Sequence, residues 1–437
     1  MARLKGKAVV AQSGGPTAAI NASAAGVIQT AMKNDSVFAG VYGSLNGILG
    51  VLNEELFDLA QEDPVQIDLL RKTPSAALGS CRHKLKDLNK DRADYERILE
   101  VFKAHDIRYF FYIGGNDSMD TADKLVRLAS QTGYEMIAMG VPKTIDNDLA
   151  FTDHCPGYGS VAKFTATSVM EAGRDTEALY THDPCTVQEI MGRNAGWIAA
   201  SAGLARRVDQ DAPHLILLPE IPFVLEKFVA DVRQCLKDFK RCFIACGEGV
   251  KTADGKYLGE AGGAFAKDAF GHTQLGGAAD AVRAIVEKEI GAKCRVNRAG
   301  TAQRVAMHFA SRTDIKESYM VGAAAVKAAI KGTTGKMVTL VRHDEDGSYR
   351  CTTGLADLAD VANSEKPLPK EFIDESGTGV TSAFRAYALP LIAGEAEIQI
   401  GDDGLPVYSR LAKHMVAKRT GRACHGDAPA SRDYRAG

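Results

Sequence analysis

The chain has 437 residues, enough for two domains or one large α/β unit with a C-terminal extension. Its 53 basic and 55 acidic side chains nearly cancel, which argues against the global field of a nucleic-acid or anionic-membrane binder. Nine scattered cysteines without paired metal spacing, no apolar run that would span a bilayer and a charged start running straight into a strand lead us to expect a reduced, cytoplasmic protein without a leader.

Residues 7–12 are the first predicted strand, Ser13-Gly14-Gly15-Pro16-Thr17 its turn, and 18–32 an Ala-rich helix. Strand, glycine turn and helix N-terminus make a place for phosphate, because bare N–H groups and the positive dipole end face the anion. The turn lacks the GK[ST] of a P-loop and the third glycine of a dinucleotide fingerprint. Residues 37–41 give the next strand, and Asn46-Gly47 a turn after it. The stretch 78–86 holds Arg82 and Lys84, a basic cluster that suits either a solvated face or contact with phosphoryl oxygens. Residues 91–105 read as an amphipathic helix leading into a strand at 109–113. Gly114-Gly115-Asn116-Asp117-Ser118 follows, and a helical pattern opens at Asp120, giving a second phosphate cradle.

The apolar run 136–139 is a short buried strand, ended at Pro142 because proline cannot donate to a ladder. Lys143-Thr144-Ile145-Asp146-Asn147-Asp148 comes next, at a strand end where ligands bind in open α/β sheets. Two acids, Asp146 and Asp148, stand close together in an extended segment at this strand end, so one is expected to face a hydroxyl and the other a metal or anchoring donor. A helix is predicted at 158–176, a strand at 185–190 ending in Met191-Gly192-Arg193, and a helix from Gly196. A further strand at 242–246 runs into Gly247-Glu248-Gly249, and 293–312 carries Gly300-Thr301-Ala302-Gln303-Arg304. The glycine-rich stretch 255–277 reads as a mobile loop, and Trp197 as core; His154 and His182 have no sequence partner that calls for catalysis. Alternating strands and helices say parallel sheets.

Taken in order, Gly14-Gly15, the 78–84 stretch, Gly114 to Ser118, Pro142 to Asp148 and Met191-Gly192-Arg193 resemble the signature series of phosphofructokinases, over roughly residues 7–340. The resemblance implies an α/β fold of two Rossmann-like parallel-sheet domains, with the active site in their cleft, plus a C-terminal extension. The expected units are a phosphoryl-donor domain at 1–150 completed by part of 312–345, a sugar-phosphate domain at 151–311, and an extension at 346–437 that frays from about 418. By the same resemblance, Asp146 is the base for the 1-hydroxyl of fructose 6-phosphate. Asp148 and Asn116 hold Mg2+, although ATP-using members usually carry an Asp where Asn116 stands. Thr144, Ile145, Met191, Gly192 and Arg193 line the sugar, Glu248 accepts from its hydroxyls, Arg304 holds the 6-phosphate, and Arg312 assists. Gly15, Arg82, Lys84 and Gly115 take the donor.

The donor is implied by two positions. ATP-dependent members have glycines where this chain has Asp117 and Lys143, whereas pyrophosphate-dependent members carry this Asp and Lys. The physics agrees: a carboxylate at Asp117 repels an α-phosphate by about 1–4 kcal/mol at some 4 Å, and Lys143 supplies a cation for the leaving phosphate. Bacterial ATP enzymes carry a subunit-crossing Arg where this chain has Pro184, and effector-binding arginines at Ala25 and Gln29, so neither feature is expected. A homodimer or homotetramer is expected, with pyrophosphate and fructose 6-phosphate as ligands and neither nucleic acid nor membrane as partner. Three alternatives stand beside this reading. An ATP-dependent 6-phosphofructokinase is one; a diacylglycerol or NAD kinase relative would lack the Thr-Ile-Asp-Asn-Asp and Met-Gly-Arg elements; a non-catalytic sugar-phosphate sensor would need no base.

Overall fold

The computed structural model describes residues 4–88, 92–259, 277–344, 347–362 and 364–421. In chain order the strands are β1 (Gly6–Gln12), β2 (Phe38–Ser44), β3 (Leu56–Asp58), β4 (Ile107–Gly114), β5 (Ile137–Pro142), β6 (Cys185–Ile190), β7 (Leu215–Leu217), β8 (Cys242–Gly247), β9 (Cys294–Arg298), β10 (Lys336–His343) and β11 (Arg350–Asp357). The longer helices are α1 (Ile20–Met32), α2 (Ala93–His105), α3 (Asn116–Thr132), α4 (Tyr158–Leu179), α5 (Leu225–Phe239), α6 (Ala278–Ile290) and α7 (Arg312–Ile330).

The first sheet has seven strands in the order β11-β10-β5-β4-β1-β2-β3. Its inner strands run parallel, and the two edges, β3 and β11, are antiparallel. Because strand side chains alternate, Val9 and Ala11 join Phe110 and Tyr112 on one face, under α2 and α3. Ala8 and Val10 join Tyr109 and Phe111 on the other face, under α1 and α7. With both faces covered, the strands are near-continuous apolar runs. Helices α1 and α7 touch backbone to backbone: a Cβ on Gly26 would collide with the Tyr319 carbonyl, and one on Gly322 with that of Ser23. The second sheet, β7-β8-β6-β9, is parallel throughout. Tyr158 and Val161 of α4 pack with Trp197 in one of its cores, and Phe228 of α5 with Val282 of α6 in the other.

Several sequence expectations change. The boundary placed at 345/346 falls inside a hairpin, since β11 pairs with β10 along its whole length and so belongs to the first sheet. The C-terminal segment spans both lobes, with Phe384 and Leu391 in the second lobe's core and Val416 packed on the first's. The chain does not fray at 418. The Glu54 carboxylate accepts from the backbone of Arg419 and Thr420 and from the His105 ring. Residues 422–437, and 260–276 of the expected mobile loop, lie outside the described residues. The eight described cysteines are free. Among the described residues no helix is long and apolar enough to cross a membrane.

Candidate active site

Strand register brings the motif loops together. Gln12 of β1 pairs with Ile113 of β4, and Gly114 of β4 with Pro142 of β5, so the turns after these strands emerge side by side. The chain order reverses between β1 and β4, the switch point where an open sheet leaves a crevice. On the Gly14-Gly15 turn, the Lys143 ammonium donates to the Gly15 carbonyl at 2.9 Å. A Cβ on Gly14 would sit 3.1 Å from that ammonium, and one on Gly15 3.0 Å from the Arg304 guanidinium. The glycines therefore let two cations approach the backbone. Gly14 also needs its positive φ of 77°.

Lys143 is only 3 % exposed. Burial pulls its ammonium down to about 8, nearby Asp146 opposes that, and Arg304 and Arg82 add to it. Asp146 is half-buried. Burial first, then Asp148 and Glu248, push its carboxyl up to about 7, against Lys143 and Arg193. These mutual influences place Lys143, Asp146, Asp148, Arg193, Glu248, Arg304 and Arg82 in one constellation. Asp148 is likewise raised, chiefly by burial. Burial and Arg82 pull down the Arg304 guanidinium, whose buried Nε finds no acceptor among the described residues.

The segment between the two acids is not the extended run expected. Asn147 is left-handed (φ 56°), so the chain bends there, and the charge of Asp148 raises the Asp146 carboxyl. Thr144 Oγ1 accepts from the Asp146 N–H at 3.1 Å. The Ile145 side chain is driven into the second lobe's core, so it anchors the loop and does not line a ligand space.

Helix α3 begins at Asn116, four residues before the expected Asp120. Gly115 is its N-cap and Asp117 lies in the first turn, so a carboxylate sits beside the positive helix end. Lys84 pairs with Asp117 at 3.3 Å. Asn116 Oδ1 is a buried oxygen without a hydrogen-bond partner among the described residues. An orphan amide oxygen and a carboxylate, as Asn116 and Asp148 offer, are hard oxygen donors of the kind Mg2+ takes.

From the second lobe, β6 delivers Met191, Gly192 and Arg193, with Gly192 at a φ of 128° that favours glycine. The Glu248 carboxylate accepts from the Gly192 N–H at 3.1 Å, and Gln303 Oε1 from the Met191 N–H at 3.1 Å. Part of Glu248's acceptor capacity thus holds the Met-Gly-Arg turn itself. Arg312 is not brought into the constellation: it is exposed at the start of α7, with its guanidinium against Gly394. Sequence reasoning missed Glu365, Lys366 and Tyr387, which approach the acid loop from the C-terminal segment. The Lys366 N–H donates to the Asp148 carbonyl at 2.8 Å, Glu365 raises the Asp148 carboxyl, and Tyr387 accepts from Asn147 at 2.9 Å. No local pattern marks these residues.

The chain is similar to known proteins over most of its length. The phosphofructokinase family model matches residues 7–329. A pyrophosphate–fructose 6-phosphate 1-phosphotransferase of Xanthomonas campestris is 48 % identical over 95 % of this chain and 98 % of its own length. Its counterpart from Halomonas elongata is 46 % identical over 94 % and 97 %. The crystal structure of a pyrophosphate-dependent phosphofructokinase from Marinobacter aquaeolei superposes with a TM-score of 0.85 at 45 % identity, covering 94 % of this chain and 98 % of that one. With a family model matched over residues 7–329 and relatives 46–48 % identical over nearly the whole chain, the chain belongs to the phosphofructokinase family.

Proposed function

We propose that the chain catalyses reversible phosphoryl transfer from pyrophosphate to the 1-hydroxyl of fructose 6-phosphate, giving fructose 1,6-bisphosphate and phosphate. Two positions carry this reading: Lys143, buried against the Gly14-Gly15 turn, and Asp117 in the first turn of α3. Asp117 takes the place an α-phosphate would need and repels it. Lys143 holds positive charge where the leaving phosphate develops negative charge.

Asp146 accepts the proton of the 1-hydroxyl as its oxygen attacks the phosphoryl group. Its raised carboxyl, pushed up to about 7, is matched to that task near neutral pH. In reverse the same group returns the proton to the departing sugar oxygen. Arg304 and Arg193 bind the sugar phosphate and orient the hydroxyl, while Glu248 fixes the Met-Gly-Arg turn that presents Arg193. Lys84 and Arg82 hold the donor beside Gly15 and Gly115. Asn116 and Asp148 would hold Mg2+, which would supply positive charge to the phosphoryl oxygens. Arg312 is assigned no part. The protein works in the cytoplasm as a homodimer or homotetramer on this reading.

Phosphorus NMR on the purified protein tests the reaction in both directions. Pyrophosphate, fructose 6-phosphate and Mg2+ are expected to yield phosphate and fructose 1,6-bisphosphate, and the products to regenerate pyrophosphate. Hydrolysis of pyrophosphate without a sugar bisphosphate would refute transfer.

A further inference from the structure

Between the two acids sits a residue that does no chemistry and is fully buried, Asn147. Its left-handed backbone, φ 56°, is a conformation that asparagine tolerates better than most residues. Its amide is committed at both ends. Oδ1 accepts from the Cys155 N–H at 2.9 Å, and Nδ2 donates to the Tyr387 hydroxyl at 2.9 Å. That hydroxyl in turn donates to the Asp153 carbonyl at 2.9 Å. One phenol oxygen thus ties the middle of the acid loop to its far end.

Tyr387 itself cannot drift. Its ring lies 5.3 Å from that of Trp197 and 5.4 Å from that of Phe372, with the Arg342 guanidinium 4.5 Å from its centroid. Arg342 also donates to the Tyr387 carbonyl at 2.9 Å and to the Asp153 carboxylate at 3.1 Å. Lys366 supports the same loop from the same segment, its ammonium donating to the carbonyls of Thr152 at 3.1 Å and Asp153 at 2.7 Å. Both residues lie beyond residue 329, where the match to the family model ends.

We infer that Tyr387 is a positioning residue: through Asn147 it sets the bend that separates Asp146 from Asp148, so the C-terminal segment belongs to the catalytic apparatus. The inference rests on the reading of Asp146 as the base. Ring packing holds the phenol without its hydroxyl, so Tyr387→Phe removes the tether and little else. A misplaced base lowers turnover while the sugar and phosphate contacts on other elements persist. Tyr387→Phe is therefore expected to lower kcat about ten- to a hundredfold, with KM for fructose 6-phosphate and pyrophosphate changed less than about threefold.

Asn147→Gly is the second probe, since glycine keeps the positive φ and loses both amide bonds. It is expected to lower kcat at least as far as Tyr387→Phe does. The double variant should be no worse than Asn147→Gly alone, because both changes cut one tether. All rates are taken per folded protein, measured by near-ultraviolet circular dichroism. Unchanged kcat in folded Tyr387→Phe, or losses that multiply in the double variant, would overturn the inference. If Tyr387→Phe does not fold, Asn147→Gly with wild-type kcat overturns it equally. Asp146→Asn, run in parallel, separates the two failures: residual turnover near wild type there refutes the base assignment, whereas an inactive Asp146→Asn beside a fully active Tyr387→Phe refutes only the tether.

Discussion

Asp146 and Lys143 titrate toward each other, and that sets the pH window of the reaction. The base works only when ionised, so the rate rises as pH climbs through about 7. The cation works only when protonated, so the rate falls as pH climbs through about 8. A narrow bell in kcat/KM against pH is the expected profile, and a rate that is flat from pH 6 to 9 would contradict these assignments. Asp146→Asn should remove the acid limb and lower kcat by ~10²–10⁴-fold with fructose 6-phosphate affinity nearly intact. Loss of affinity with turnover preserved would mean that Asp146 only positions the sugar. Both residues were legible because Thr-Ile-Asp-Asn-Asp follows a short apolar strand that proline ends. Their environment was not, because Gly14, Arg304 and Glu248 reach them from remote parts of the chain.

β1, β2, β4, β5, β6 and β8 were readable as apolar runs, with ends within three residues of the expected positions, whereas β3, β7, β9, β10 and β11 were not predicted. The start of α3 was misplaced because Asn116, Asp117 and Ser118 look like loop, yet polar residues also favour the first turn of a helix. That shift matters, since it puts Asp117 at a helix N-terminus. On α1, Ala25 is fully buried and the Gln29 side-chain oxygen accepts from the Tyr319 hydroxyl of α7 at 2.9 Å. With no cation at either position, fructose 6-phosphate saturation should stay hyperbolic and indifferent to ADP or phosphoenolpyruvate. A sigmoidal curve that ADP relaxes would contradict this. The expectation of a frayed end overlooked Glu54, whose remote partners leave no local signal. Although burial opposes it, bonds from Arg419, Thr420 and His105 hold its carboxyl down at about 2. A depressed carboxyl stabilises the fold above its ordinary value of 4.5 and loses that contribution as pH falls toward 2. Glu54→Gln should therefore cost about 2 kcal/mol in urea unfolding at pH 7, and progressively less on acidification. An equal cost at pH 3 and pH 7 would show that the charge is irrelevant.

The whole molecule assembles one site from three sources: turns of the seven-stranded sheet, the Met-Gly-Arg turn of the four-stranded sheet, and the C-terminal segment behind the acid loop. The first two carry local sequence patterns. The third acts only through tertiary contacts, which is why Lys366 and Tyr387 were invisible until the chain was folded. On the proposed reading, donor choice depends on the first source alone. Asp117→Gly should let ATP begin to bind, though it also frees Lys84 from its partner. Lys143→Gly should lower pyrophosphate turnover on the order of 10²–10³-fold, and the double change should favour ATP more than either single one. The most direct measurement is the kcat/KM of the wild-type protein for pyrophosphate and for ATP, at saturating fructose 6-phosphate and Mg2+. Rapid turnover with pyrophosphate and little or none with ATP is expected; equal rates from the two donors would contradict the roles given to Asp117 and Lys143.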